Sequence, residues 1–310
     1  MEVIILKLIY EDTDITKGVD VKKAEFIDTA GGRADSLELR FSDTKGIWSE
    51  WKPSKNDKIQ ISENGLSSGT MYIDELEQLR GMFIIRALSI PQDAKTHNTK
   101  SWESIRFLEF ATEIASKHGF SVETYGIENY LYNRVDQFEQ SDFEFLAWRC
   151  LIEGFMLKTF DRKVVIYSQD FIEKIPSVKS IPISCFDGDY KFKSKSTGIY
   201  SGCQASCNGI KVVFKPQKKV FGALLKCNNI HFSSVNEGNR FARNLLKSEN
   251  KYETTGAFAT KLDTGLSAGS NIDISGIGIA DGKYFCEQIR HDMVSSGKST
   301  FRVRKPLEGY

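Results

Sequence analysis

Up to Pro91 the chain alternates apolar and polar positions in short runs. In SLELRFSD (36–43), Leu37, Leu39 and Phe41 alternate with Glu38, Arg40 and Ser42. That is the period-two pattern of a strand with one buried face. KIQIS (58–62) repeats it, with Ile59 and Ile61 on one side. TMYIDELEQL and GMFIIRALS continue it around Gly81, and Pro53, Gly69 and Pro91 supply the breaks. The apolar start, MEVIILKLIYEDTD, has no basic leader and no small-residue cleavage site, so it reads as a strand and not as a signal peptide.

The middle changes period. Ser101 is placed to cap a helix from Trp102 to about His118, with Gly119 after it and Ile105, Leu108, Ala111 and Ala115 in one stripe, widened by Phe107 and Ile114. A second helix opens at Ser141, where Glu144 three residues on completes a capping box, and ends at Gly154. Its apolar face is expected to carry Phe145, Leu146, Trp148 and Ile152. FSVETY, FMLKTF and KVVIYS read as strands, the last two joined at Asp161-Arg162. Strand patterns then resume in DYKFKSKS, GIKVVFKP, GAFATKL, NIDISGIGI, KYFCEQI and TFRVRK. One helix, EGNRFARNLLKSEN, interrupts them, with Phe241, Leu245 and Leu246 on one side.

The two β-rich ends echo each other. Shifted by 213 without gaps, KIQISENGLSSGTMYIDEL (58–76) lies over NIDISGIGIADGKYFCEQI (271–289). Ile59, Ile61, Ser62, Gly65 and Gly69 meet Ile272, Ile274, Ser275, Gly278 and Gly282. Matching glycines at both turns point to duplication. The expectation is an α+β, mainly β chain: two related β-domains (1–92 and 176–310) flanking a small α/β insertion (93–175).

Composition narrows the function. With 42 Lys and Arg against 41 Asp and Glu, the net charge is +1, without the basic excess of a dedicated nucleic-acid binder. Hydrophobic residues at 40% allow real cores in 310 residues. No run reaches the roughly 18 apolar residues that span a bilayer, so no membrane insertion is expected. The six cysteines are scattered and read as reduced thiols.

Candidate chemistry is sparse. GIGIADG departs from a phosphate-binding loop in spacing and is followed by a strand pattern instead of a helix. Cys203 and Cys207 form a C-x-x-x-C pair whose nearest further ligands, Cys185, Cys227 and His231, are irregularly spaced for zinc. A Cys227–His231 dyad lacks an accompanying oxyanion motif. His118, at a helix end, suits the dipole, and Asp187 and Asp189 bracket a turn glycine. No catalytic, cofactor or metal residue is assigned. Two groups suit contact with a partner. Trp48 and Trp51 flank a turn in GIWSEWKP, where they either meet a partner or cap the end of a barrel. Lys191, Lys193 and Lys195 share one strand face, where they guard a sheet edge or meet a polyanion.

Several segments, in order, resemble the late control D family of phage tail proteins, the baseplate hubs of contractile tails. They are ADSLELRFSD, WKPSKNDKIQI, GTMYIDELE, SWESIRFLEFATEIASKHGF, RVDQFEQSDFEFLAWRCLIEGFMLK and GKYFCEQIRHDM, spanning about 18 to 305. EQSD stands where the family more often has Asn-Glu-Ser-Asp, and GCQASCNG has no counterpart. The resemblance implies two tail-tube-like β-barrel domains around the insertion and a homotrimer that joins a sixfold tail tube to a trimeric spike. Its expected partners are itself, the spike, the tube or tube-initiator protein and other baseplate proteins, around a lumen that DNA could pass without specific binding. It also implies a structural part of a virion or tail particle, assembled in the bacterial cytoplasm, and no enzyme. The alternatives are the hub of a type VI-like or other contractile injector, and a tail-associated cell-wall hydrolase or peptidoglycan-binding module.

Overall fold

The computed structural model describes residues 6–310; the first five residues of the expected N-terminal strand lie outside it. The N-terminal region contains β1 (Lys7–Tyr10), β2 (Thr13–Asp14), β3 (Asp20–Thr29), β4 (Ser36–Ser42), α1 (Ile47–Trp51), β5 (Lys58–Glu63), β6 (Leu66–Ser67), β7 (Met71–Leu79) and β8 (Met82–Leu88). The middle follows with β9 (His97–Arg106), α2 (Phe107–Lys117), β10 (Ser121–Tyr125), β11 (Leu131–Ser141), α3 (Asp142–Glu153), β12 (Phe155–Phe160), β13 (Lys163–Ser168) and α4 (Gln169–Lys174). The last part holds β14 (Lys179–Pro182), β15 (Lys191–Ser194), β16 (Gly202–Cys207), β17 (Ile210–Phe214), β18 (Leu224–Cys227), α5 (Val235–Asn250), β19 (Thr254–Lys261), β20 (Asn271–Ser275), β21 (Gly282–Asp292) and β22 (Lys298–Arg304).

Period two does what it predicts in the first sheet. Leu37, Leu39, Phe41, Ile59 and Ile61 are all buried. The strands pair in the order β3-β4-β8-β7-β5-β1. On a flat sheet β4 and β1 would lie about 19 Å apart, four strand spacings. Yet the Trp48 indole touches both Phe41 of β4 (4.6 Å between ring centroids) and Tyr10 of β1 (6.0 Å). The sheet is therefore rolled around Trp48. Beyond β1 lies only the short β2, and neither is hydrogen-bonded to β3, so no closed barrel is traced among the described residues.

The C-terminal strands repeat this module in the order β15-β19-β22-β21-β20-β14. The repetition extends to register. Lys58 faces Tyr72 and Ile59 faces Met71; in the second copy Asn271 faces Phe285 and Ile272 faces Tyr284, the same pairs at the same shift. A bulge between Ile73 and Glu75 of β7 recurs between Cys286 and Gln288 of β21. Gly65 and Gly278 both have positive φ (87° and 74°) at the first turn. The copies differ at the closing hairpin, where two residues link β7 to β8 but five link β21 to β22. They differ also at the outer strand, since β1 runs antiparallel to β5 while β14 runs parallel to β20. Antiparallel pairing of β3 with β21, from Thr29 opposite Gln288 to Glu25 opposite Asp292, fuses the two modules into one sheet.

The middle has its own core, built on α2, α3, the β9–β11 pair and the β10-β13-β12 sheet. The helix expected from Trp102 starts later, at Phe107. Trp102–Arg106 instead pair with Leu131–Val135, and Ser101 Oγ donates to Asp136 (2.6 Å) in place of capping. Glu109 takes over the N-terminus by accepting the Arg106 N–H (2.8 Å). The buried stripe is accordingly Phe107, Phe110, Ala111, Ile114 and Ala115. The helix at Ser141 forms as read, with Gly154 at φ 75° ending it, but Trp148 is 40% exposed and is not part of the core. Residues of β16, β17 and α5, including Cys203, Val212, Phe241 and Leu246, join this middle core. The stretch 176–310 thus divides its side chains between the middle and the second module.

Candidate assembly surface

β15 ends the hydrogen-bonded path, bound to β19 on one side only. Its alternation fits an edge with a wet face. Phe192 turns inward against Tyr284 (5.4 Å) and Phe258 (6.2 Å), while Lys191, Lys193 and Lys195 are exposed. The two tryptophans separate. Trp48 is 1% exposed and stacks on Phe83 (5.4 Å, 8° between planes), so it fills the end of the first module and offers nothing to a partner. Trp51 lies edge-on to it (5.2 Å) and is 39% exposed.

A buried polar junction ties the three regions together. Lys158 of β12 reaches Asp28 and Asp35 (3.2 Å to the latter) and donates to the Thr29 carbonyl (2.7 Å). Asp28 also accepts the Ala268 N–H from the second module (2.8 Å). Burial pushes Asp35 up to about 6 against the pull of Lys158. For Lys158 burial works the other way, but Asp28 and Asp35 outweigh it and hold the ammonium above its usual range. Beside this junction a Cβ on Gly31 would stand 2.7 Å from the Leu157 carbonyl, so only glycine lets the β3–β4 turn meet β12 this closely. Sequence reasoning missed the junction, because Lys158 lies 130 residues from Asp28.

The other sequence candidates fall into ordinary roles. Cys203 Sγ meets Cys227 Sγ (3.8 Å), whereas Cys207 meets His231 Nδ1 (3.5 Å). Cys203 and Cys207 are therefore in separate pairs, and His231 is not partnered with Cys227. The contact with Cys203 lowers Cys227 to about 7; the same contact, with burial, raises Cys203. No group of three metal-ligating side chains occurs among the described residues. In GIGIADG the Asp281 carboxylate accepts the Gly276 and Ile277 N–H groups (3.2 and 2.8 Å), so amides that a phosphate would need are occupied. His118 sits buried between Asp93 and Asp142, 2.8 Å from each, and fastens α2 to the start of α3. Asp187 pairs with Lys298 (3.0 Å). Among the described residues no helix is long and apolar enough to cross a membrane.

No family model and no curated protein matches the sequence. Solved structures do match. The 43 kDa tail protein of prophage MuSo2 from Shewanella oneidensis superposes with a TM-score of 0.76 at 9% identity, covering 96% of this chain and 97% of that one. A tail protein from Neisseria meningitidis gives 0.76 at 12% identity, over 97% and 96%. An Escherichia coli type VI secretion component, described as similar to T4 bacteriophage tail proteins, gives 0.63 at 13% identity, over 94% of this chain and 75% of that one. At such identities the likeness is one of fold, and across nearly its whole length this chain shares the fold of phage tail proteins and of a type VI secretion component.

Proposed function

We propose that the chain is the baseplate hub of a contractile tail, a homotrimeric adaptor between a sixfold tail tube and a trimeric central spike. The observation that carries this reading is the register-matched repeat. Three chains with two equivalent β-modules each can present six similar units to the tube while remaining threefold toward the spike. The late control D resemblance and the tail-protein fold support the same reading. Its partners are then further copies of itself, the spike, the tube or tube-initiator protein and other baseplate proteins, and its place is the tail of a virion or tail-like particle. The exposed Trp51 and Lys191, Lys193 and Lys195, in and just after β15, are its candidate contact residues. The likeness to a type VI component favours a second reading of the same kind, the hub of a contractile injector.

Mass measurement of the protein alone, and mixed with the spike and tube proteins encoded beside it, tests the proposal. Three copies, alone or on addition of the spike, are expected. A stable monomer that ignores both partners overturns it.

A further inference from the structure

The joint between the two modules of one chain has a counterpart that the chain alone leaves open. In the joint, residues 25–29 of β3 pair with residues 288–292 of β21. The repeat assigns each side of this joint an equivalent. The 213-residue shift carries Gln288–Asp292 onto Glu75–Leu79 of β7. On the other side, Phe26 sits beside Leu37, which sits beside Ala87; Phe192 sits beside Gly256, which sits beside Val303. Ala87 and Val303 hold the same place in the closing hairpins, opposite Ile73 and Cys286. Phe192 is therefore the counterpart of Phe26, and 191–195 that of 25–29.

Each counterpart has one edge without a strand partner among the described residues. β15 is bound to β19 only. Residues 75–79 of β7 pair with β8 on one side, while β5 on the other side reaches only Met71 and Tyr72. Glu75, Gln78 and Leu79 are exposed, Leu79 at 47%.

We infer that β15 of one copy adds antiparallel to Glu75–Leu79 of β7 in a second copy of this chain, repeating between chains the β3–β21 joint found within one. The transferred register sets Lys195 opposite Glu75 and Lys193 opposite Glu77, with Phe192 and Gln78 on the inner side. In the intrachain joint the matching residues are Thr29 with Gln288 and Ile27 with Arg290, and its ion contact is the diagonal one from Arg290 to Glu25 (3.9 Å). Glu75 and Glu77 both lean on Arg86 (2.6 and 3.3 Å) and keep more than a third of their side chains in solvent. Opposite charges directly across a strand pair stabilise it, and like charges there oppose it. The lysines thus refuse a basic edge and accept this acidic one. The contact is head-to-tail, so repetition generates a ring or a filament. The inference deepens the hub reading and rests on it for the copy number alone; the register comes from the repeat.

The test is charge reversal in the full chain, read by native mass spectrometry and sedimentation, with the spike and tube proteins added where the wild type needs them to assemble. E75K/E77K and K193E/K195E are each expected to lose the assembled species, and the fourfold variant to regain it. Unchanged thermal unfolding of the monomers shows that the reversals leave the fold intact. Assembly that ignores both reversals, or dispersal that the fourfold variant does not rescue, overturns this strand pair and leaves the hub reading standing. A wild type that stays monomeric with both partners present overturns the two together.

Discussion

Lys158 holds two carboxylates that the fold has taken out of water. Its side chain is 15% exposed, and those of Asp28 and Asp35 are 5% and 1% exposed. Removing one partner of a buried ion group strands the others, at a cost of about 3–5 kcal/mol. Lys158→Met is therefore expected to lose stability on that scale in urea unfolding, and Lys158→Arg to lose less. His291 makes a pH-dependent contribution. It is fully buried, with Nδ1 at 2.9 Å from Ser299 Oγ, and burial lowers its pKa despite Asp28 and Asp263 nearby. The neutral ring's contribution is whole above the unfolded value of about 6.5. It is lost as pH falls from there through the lower folded value, because the unfolded chain takes up the proton first. The thermal midpoint of the wild type should thus drop more than that of His291→Asn on acidification across this window. Neither residue could be picked from the sequence. Lys158 looks like one polar position in FMLKTF, and its partners are set by the docking of β12 on the β3–β4 turn.

Elements whose instructions are local were legible. α3 carries its own start, with Ser141 N–H and Oγ both donating to Glu144 (3.3 and 2.7 Å), and its own stop in Gly154. Ser141→Ala should cost about 1 kcal/mol, seen as a lower melting temperature with the fold retained. The hairpins of both modules were legible for the same reason, since period two and a turn residue suffice to define them. α2 was not. Ser101 has the look of a cap, but its segment is claimed by β11, thirty residues further on, whose pairing with β9 outweighs local propensity. Trp148 misled in another way, because its apolar ring occupies a helical position that the middle core does not cover.

At the scale of the molecule the repeat was legible from aligned glycines and isoleucines, and the structure adds the shared register and the shared bulge. What the sequence hid is the path of 199–250, which leaves the second module to pack α5 against α3. Nothing in EGNRFARNLLKSEN names the surface its apolar side will meet. The expected trimer is the prediction proper to this scale, and its mass decides it. The opposite directions of β1 and β14 bear on how such a particle is counted. A neighbour gripping only the strand pairs that share register, β5 with β7 and β20 with β21, meets the same pairing twice per polypeptide. One that reaches the outermost strand can tell the halves apart and finds each kind once. In the proposed trimer the first kind of contact would occur six times and the second three times.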